Sequence, residues 1–195
     1  MTDFLTLAYE RYSCREFTDQ SVEPQKVDAL LEAARVAPTA CNKQPWHAWV
    51  VTDPEALARL NATTRFGFGA KVVIVLGAAR DEAWTRKYDG ANFADVDASI
   101  VGTHIMLAAQ DLGLGTTWVA CFDAPALQEA FPPDGRLRPR GDVPARVPLA
   151  GLCPRFGAPC LEGNRRARRP DLAACRELAA EGLSPRYGID IVSTP

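Results

Sequence analysis

Apolar positions recur with helical spacing after Glu23-Pro24, where Val27, Leu30, Leu31 and Ala34 stand at i, i+3, i+4 and i+7. One face of a helix is therefore buried from there to about residue 37. Pro24 suits its first turn, because the N–H that proline lacks would have no helical acceptor. A shorter helix over 3–12 carries Phe4, Leu7 and Ala8 on one side. Residues 46–51 and 71–78 are short apolar runs rich in Val, Ile and Trp, the composition of strands, and Asp53-Pro54 between them opens a helix to about residue 62. The longest pattern, 95–112, is apolar nearly all round (Val96, Ile100, Val101, Ile105, Met106, Leu107). It is predicted to be buried on every side, by the core or by a partner subunit. Gly113 closes it. Strands at 116–121 and 147–152 and helices at 125–131 and 171–181 complete the elements. The stretches 132–146 and 153–170, irregular and dense in Pro, Gly and Arg, are predicted to wrap a surface, line a site or reach another subunit. No repeat or linker divides the chain, so 1–195 is predicted to be one domain of mixed helix and sheet.

Composition narrows the class. With 195 residues, 47% hydrophobic and 24% charged, the chain has the make-up of an ordinary globular protein. Its longest apolar run, 72–79, falls far short of the ~20 residues of a membrane span, so no membrane association is expected. The opening MTDFLTLAYERY lacks the basic start and apolar core of a secretory signal, and a cytoplasmic location is expected. A net charge of −2 argues against a nucleic-acid binder, although residues 134–169 hold nine Arg against three acids. The run Arg165-Arg166-Ala167-Arg168-Arg169 has no interleaved aromatics and reads as a solvated face.

The cysteines and histidines remove further chemistries. Cys14, Cys41, Cys121, Cys153, Cys160 and Cys175 contain no C-x-x-C pair, so zinc ribbons, iron–sulfur clusters and thioredoxin-like motifs are unsupported. His47 and His104 have no second His at metal-ligand spacing, and no G-x-S-x-G marks a serine hydrolase. The glycines of Leu112-Gly113-Leu114-Gly115-Thr116 follow a helix and precede a strand, the reverse of a dinucleotide-binding loop. They can still let the backbone approach something planar, or simply cap and turn.

Two polar segments remain. In Arg11-Tyr12-Ser13-Cys14-Arg15, an extended backbone would point Arg11, Ser13 and Arg15 to one side. Two guanidinium forks and a hydroxyl suit a phosphate dianion; the plain alternative is a solvated turn. In Ala37-Pro38-Thr39-Ala40-Cys41-Asn42-Lys43-Gln44-Pro45-Trp46, two prolines stiffen a loop bearing Thr39, Asn42 and Gln44. Such groups could read the edge of a flat heterocycle, or only satisfy their own turn.

Taken in order, these segments resemble the nitroreductase family of FMN-dependent oxidoreductases in its small single-domain form. The residues 11–17 look like its opening R-x-S-x-R-x-F/Y, and 37–46 like its A-P-[ST]-x-x-N-x-Q-P-W loop. Trp84–Gly90 with Asp97–Ile100 resembles one subgroup, 112–122 matches L-G-L-G-T-x-W-x-x-x-F, and Arg168-Arg169-Pro170 with Leu172 is similar to the closing R-[KR]-P-L. The chain departs from the pattern at 149–154, where small members carry L-G-Y-P, and at Arg165, where a His often stands.

The resemblance implies an α+β fold with a central mixed or antiparallel sheet flanked by helices, in an intertwined homodimer with FMN at the interface. It implies that Arg11, Tyr12, Ser13 and Arg15 hold the flavin phosphate and ribityl chain, with Arg168 closing over the phosphate. Pro38, Thr39 and Ala40 would line the isoalloxazine, Asn42 and Gln44 would add polar contacts, and Leu114, Gly115, Thr116, Leu149 and Gly151 would supply backbone near it. The implied reaction is ping-pong hydride transfer through flavin N5, from NAD(P)H to a nitroaromatic, quinone or similar small-molecule acceptor. The cofactor carries the chemistry, and no catalytic side chain and no metal are expected. Enone reduction, dehalogenation or substrate oxidation on the same fold, and a flavin-binding sensor without turnover, stand as alternatives.

Overall fold

A computed structural model describes residues 3–130 and the strand backbone of 147–154. The elements run α1 (Phe4–Glu10), α2 (Pro24–Arg35), β1 (Trp46–Val51), α3 (Pro54–Asn61), β2 (Val72–Ala78), α4 (Ala94–Asp111), β3 (Leu114–Val119), α5 (Ala124–Ala130) and β4 (Val147–Pro154). The predicted helix at 171–181 and the irregular stretches 132–146 and 153–170 lie outside the described residues, except that 153–154, expected to be irregular, continue β4.

The four strands form one sheet in the order β1-β2-β4-β3, every neighbouring pair antiparallel. β2 is central and buried along its whole length, which is why it reads as a continuous apolar run instead of an alternating one. Its side chains divide by the strand's two-residue period. Val72, Ile74, Leu76 and Ala78 pack with Leu30 and Ala34 of α2 and with Ala98, Val101 and Ile105 of α4. Val73 and Val75 face the other way, against Leu57 and Leu60 of α3 and Leu127 of α5.

Helix starts follow local chemistry. The Asp53 carboxylate accepts the Ala56 N–H at 2.8 Å, with Pro54 in the first turn, and Asp3 caps α1 by accepting from Leu5 and Thr6. At the end of α4, Gly113 takes φ 75°, so Leu114 enters the sheet at once, opposite Pro154. This corrects the strand expected at 116–121: pairing begins two residues earlier and ends at Val119, leaving Cys121 exposed. Within the described residues α4 is covered in part, and the partner half of its expected burial is left open. Ala94, Ala98, Val101, Ile105 and Ala109 are buried, but Val96 is 48% exposed and Ile100, Met106 and Leu107 are only half-buried. Among the described residues, the helix keeps an apolar stripe uncovered.

Candidate functional site

The chain from Arg11 to Arg15 leaves α1 and runs along the outer edge of β3. Ser13 pairs with Thr116 in a parallel bridge, and the Cys14 N–H donates to the Thr116 carbonyl at 2.8 Å. Cys14 is buried, while Ser13 and Arg15 are exposed and Arg11 half-exposed. From Ser13 to Arg15 the exposure alternates as an extended segment would have it, while Arg11 and Tyr12 are both half-buried. The segment thus runs beside Leu114, Gly115 and Thr116. These three are buried, so they can offer backbone to a ligand more readily than side chains. Gly151 pairs with Thr117 and Leu149 with Val119 across the next strand. Arg168 lies outside the described residues.

The second cluster is the loop from Ala37 to Pro45, built around a 3-10 turn at Ala40–Asn42. Cys41, Asn42 and Gln44 have φ of 52°, 51° and 49°, a left-handed backbone that non-glycine residues adopt at a cost. Gln44 ties the loop together: its Nε2 donates to the Ala37 carbonyl at 3.1 Å and to Asn42 Oδ1 at 2.9 Å. Its Oε1 accepts the Trp46 indole N–H at 2.7 Å, and its backbone N–H donates to Thr39 Oγ1 at 3.0 Å. Both amide hydrogens of Gln44 are thus engaged inside the loop. Pro38 is exposed, and Thr39 and Ala40 are half-buried.

Sequence reasoning missed the residue that anchors this loop from outside. Asp97, 1% exposed in the first turns of α4, accepts the Ala40 N–H on Oδ1 at 2.8 Å. Asp97, set with Asp95 at the head of a largely apolar helical stretch, was the available signal. An open cleft of about 500 Å³ lies against the loop, lined by Arg35, Val36, Ala37, Pro38, Asn42, Gln44 and Trp46. The Arg35 guanidinium there is engaged by both Glu32 oxygens, at 2.6 and 2.7 Å, and that hydrogen-bonded partner holds the Glu32 carboxyl below its ordinary range.

The two clusters stand at opposite ends of the sheet. Trp46, where the loop enters β1, pairs with Ala78; Thr116 pairs with Leu152, which pairs with Val72. The span from Val72 to Ala78 is about 20 Å along the strands, and three strand spacings add about 14 Å sideways.

The nitroreductase family model matches residues 8–65 and 61–138, which include both clusters. The chain belongs to the nitroreductase family. A solved structure of a nitroreductase family protein from Clostridium difficile is 30% identical, with a TM-score of 0.77 over 89% of this chain and 96% of that one. A Desulfovibrio desulfuricans structure provisionally titled a nitroreductase, in complex with FMN, is 26% identical, with a TM-score of 0.67 over 89% and 95% of the two chains. An Archaeoglobus fulgidus protein, provisionally named an NADH dehydrogenase/NAD(P)H nitroreductase, is 33% identical over 63% of this chain and 70% of its own length. The α+β architecture is that of the nitroreductase fold. No helix among the described residues is long and apolar enough to cross a membrane.

Proposed function

We propose that this nitroreductase family member is an FMN-dependent oxidoreductase that takes electrons from NAD(P)H and acts as a homodimer, each flavin site drawing one cluster from each chain. The separation of the two clusters carries this reading. One small cofactor cannot touch both ends of one sheet, yet both ends bear groups suited to it. A second copy docked on the uncovered stripe of α4 would bring the loop of one chain to the β3 edge of the other.

The residues fit the group. At the β3 edge, Arg11 and Arg15 flank the exposed Ser13, a donor set matched to a phosphate in which each guanidinium can hold two oxygens. Gly115 and Thr116 lie along that edge, and Leu149 and Gly151 stand one strand further in, on β4. The stiff loop of the second chain supplies Pro38, Thr39 and Ala40 as a flat, mostly apolar wall, and Asn42 as an amide donor. Bound there, FMN supplies the two-electron hydride relay between NAD(P)H and an electron-poor acceptor such as a nitroaromatic or a quinone. The side chains bind and orient; none is assigned a proton transfer.

Titration of the purified protein with FMN, followed by anaerobic NADH or NADPH, tests the reading. Saturable binding at one flavin per chain and bleaching of the visible bands are expected. A protein that stays colourless after incubation with FMN would overturn it, and bound flavin that neither nucleotide bleaches would point to a sensor.

A further inference from the structure

Asp97 is an anomaly in its own helix. It is 1% exposed, and its helix neighbours Ala94, Ala98 and Val101 belong to the core, so an apolar side chain would fit there without burying a polar group. One carboxylate oxygen accepts the Ala40 N–H across 57 residues of sequence, and the other, Oδ2, is buried with no partner among the described residues. A buried polar atom left unpaired costs folding free energy, so this side chain is a poor choice for stability alone.

What Asp97 holds explains the choice. Ala40 opens the turn that leads into Cys41, Asn42 and Gln44, the three left-handed non-glycine residues of the loop. Each such conformation persists only where its surroundings over-determine it. The Gln44 brackets act within the loop and fix its internal shape. Among the described residues, the Asp97–Ala40 bond ties the turn itself to α4, while the Ala79 N–H, donating to the Pro45 carbonyl at 2.7 Å, ties the far end of the loop to the end of β2.

We propose that Asp97 is a positioning residue for flavin binding: by gripping the Ala40 N–H, it holds the strained 38–44 loop at the height and tilt from which Thr39 and Ala40 wall the isoalloxazine. This rests on the reading of the loop as part of an FMN site. A side chain kept for position and not for stability has a signature of opposite signs. Removing it weakens the ligand while leaving the fold as stable or more so.

The test compares Asp97→Ala and Asp97→Asn with wild type in three measurements: FMN affinity by fluorescence quenching, melting temperature without flavin, and amide exchange of residues 40–44 without flavin. Asn retains an acceptor oxygen for the Ala40 N–H. The expected result is that Asp97→Ala weakens FMN at least tenfold, leaves the flavin-free melting temperature unchanged or raised, and speeds exchange in the loop. Asp97→Asn should recover most of the affinity and the protection. Affinity within twofold of wild type for Asp97→Ala overturns the proposal. So does a marked fall in melting temperature shared by both variants, which makes Asp97 an ordinary structural residue. If wild type binds no FMN, the reading of the site fails while exchange still judges the grip on the loop: unchanged protection in Asp97→Ala overturns that too.

Discussion

Trp118 lies across α4 at Gly102, so closely that a Cβ on the glycine would stand 2.7 Å from the indole ring and 3.2 Å from Leu76 Cδ1. This contact fastens β3 to the long helix two residues beyond Thr116, and the β3 edge in turn carries the Arg11–Arg15 segment. A glycine in mid-helix is normally a loss of about 1 kcal/mol relative to alanine. Here the indole takes the space that the methyl group would need.

The sign of Gly102→Ala should therefore depend on position 118. In wild type, overpacking of about 1–3 kcal/mol should outweigh the propensity gain and lower stability. In a Trp118→Ala background the same change should stabilise by about 1 kcal/mol. Urea midpoints of the four proteins provide the cycle, and an equal effect in both backgrounds would show that the ring simply swings out into solvent.

The arginines at the β3 edge make a separate prediction, one that concerns the ligand alone. Arg11→Ala and Arg15→Ala should each weaken FMN by tenfold or more, since a hydrogen bond to a charged group contributes about 1.5–3 kcal/mol. Riboflavin, which lacks the phosphate, should bind wild type and both variants alike. Equal losses for FMN and riboflavin would place these guanidiniums elsewhere than at the phosphate.

The legibility of these features in the sequence follows from how local their causes are. Trp46–Val51 and α3 were readable to within a residue, because a Val-rich run and the Asp53-Pro54 start are signals carried by neighbouring residues. The start of β3 was missed by two residues, because Leu114 joins the sheet through pairing with Pro154, a partner 40 positions away. The exposed stripe of α4 was equally hidden: periodicity shows that a helix is apolar all round, and only packing shows which side the chain itself covers. At the site, family-like motifs named the residues of the two clusters. That these clusters stand at opposite ends of the sheet is a matter of strand order, which no segment contains. The role of Asp97 was overlooked for the same reason, since β1, α3 and β2 all lie between it and its partner Ala40 along the chain.

The hairpin before α4 carries a pH dependence of its own. Arg86 Nε donates to Asp89 Oδ1 at 2.8 Å, Ala91 N–H donates to the same oxygen, and Thr85 pairs with Asn92. The Arg86 hydrogen bond, followed by that from Ala91, lowers the Asp89 pKa below its ordinary value. A folded pKa below the unfolded one gives a contribution that is present at neutral pH and lost as the pH falls through the carboxylate range. Acidification below about pH 4 should loosen the hairpin, with Trp84 fluorescence as the reporter. Asp89→Asn should abolish this step while leaving the neutral-pH melting temperature within a few degrees. The step is expected to be small, because both side chains are largely exposed.

The division of the site between two chains gives the sharpest prediction. Suppose a chain carrying Arg11→Ala and Arg15→Ala is co-expressed, under a different tag, with a chain carrying Asn42→Ala and Gln44→Ala. Each homodimer then has two damaged sites. If every site combines the β3 edge of one chain with the 38–44 loop of the other, the mixed dimer concentrates all four substitutions in one site and leaves the second intact. Tandem-tag purification followed by FMN titration should give one flavin per dimer at wild-type affinity, with the other site empty at the same concentration. If both clusters instead served one chain's own flavin, each site of the mixed dimer would carry one kind of damage and no wild-type site would appear. The count of tight flavins, one or none, decides between the two arrangements without depending on the identity of the electron acceptor.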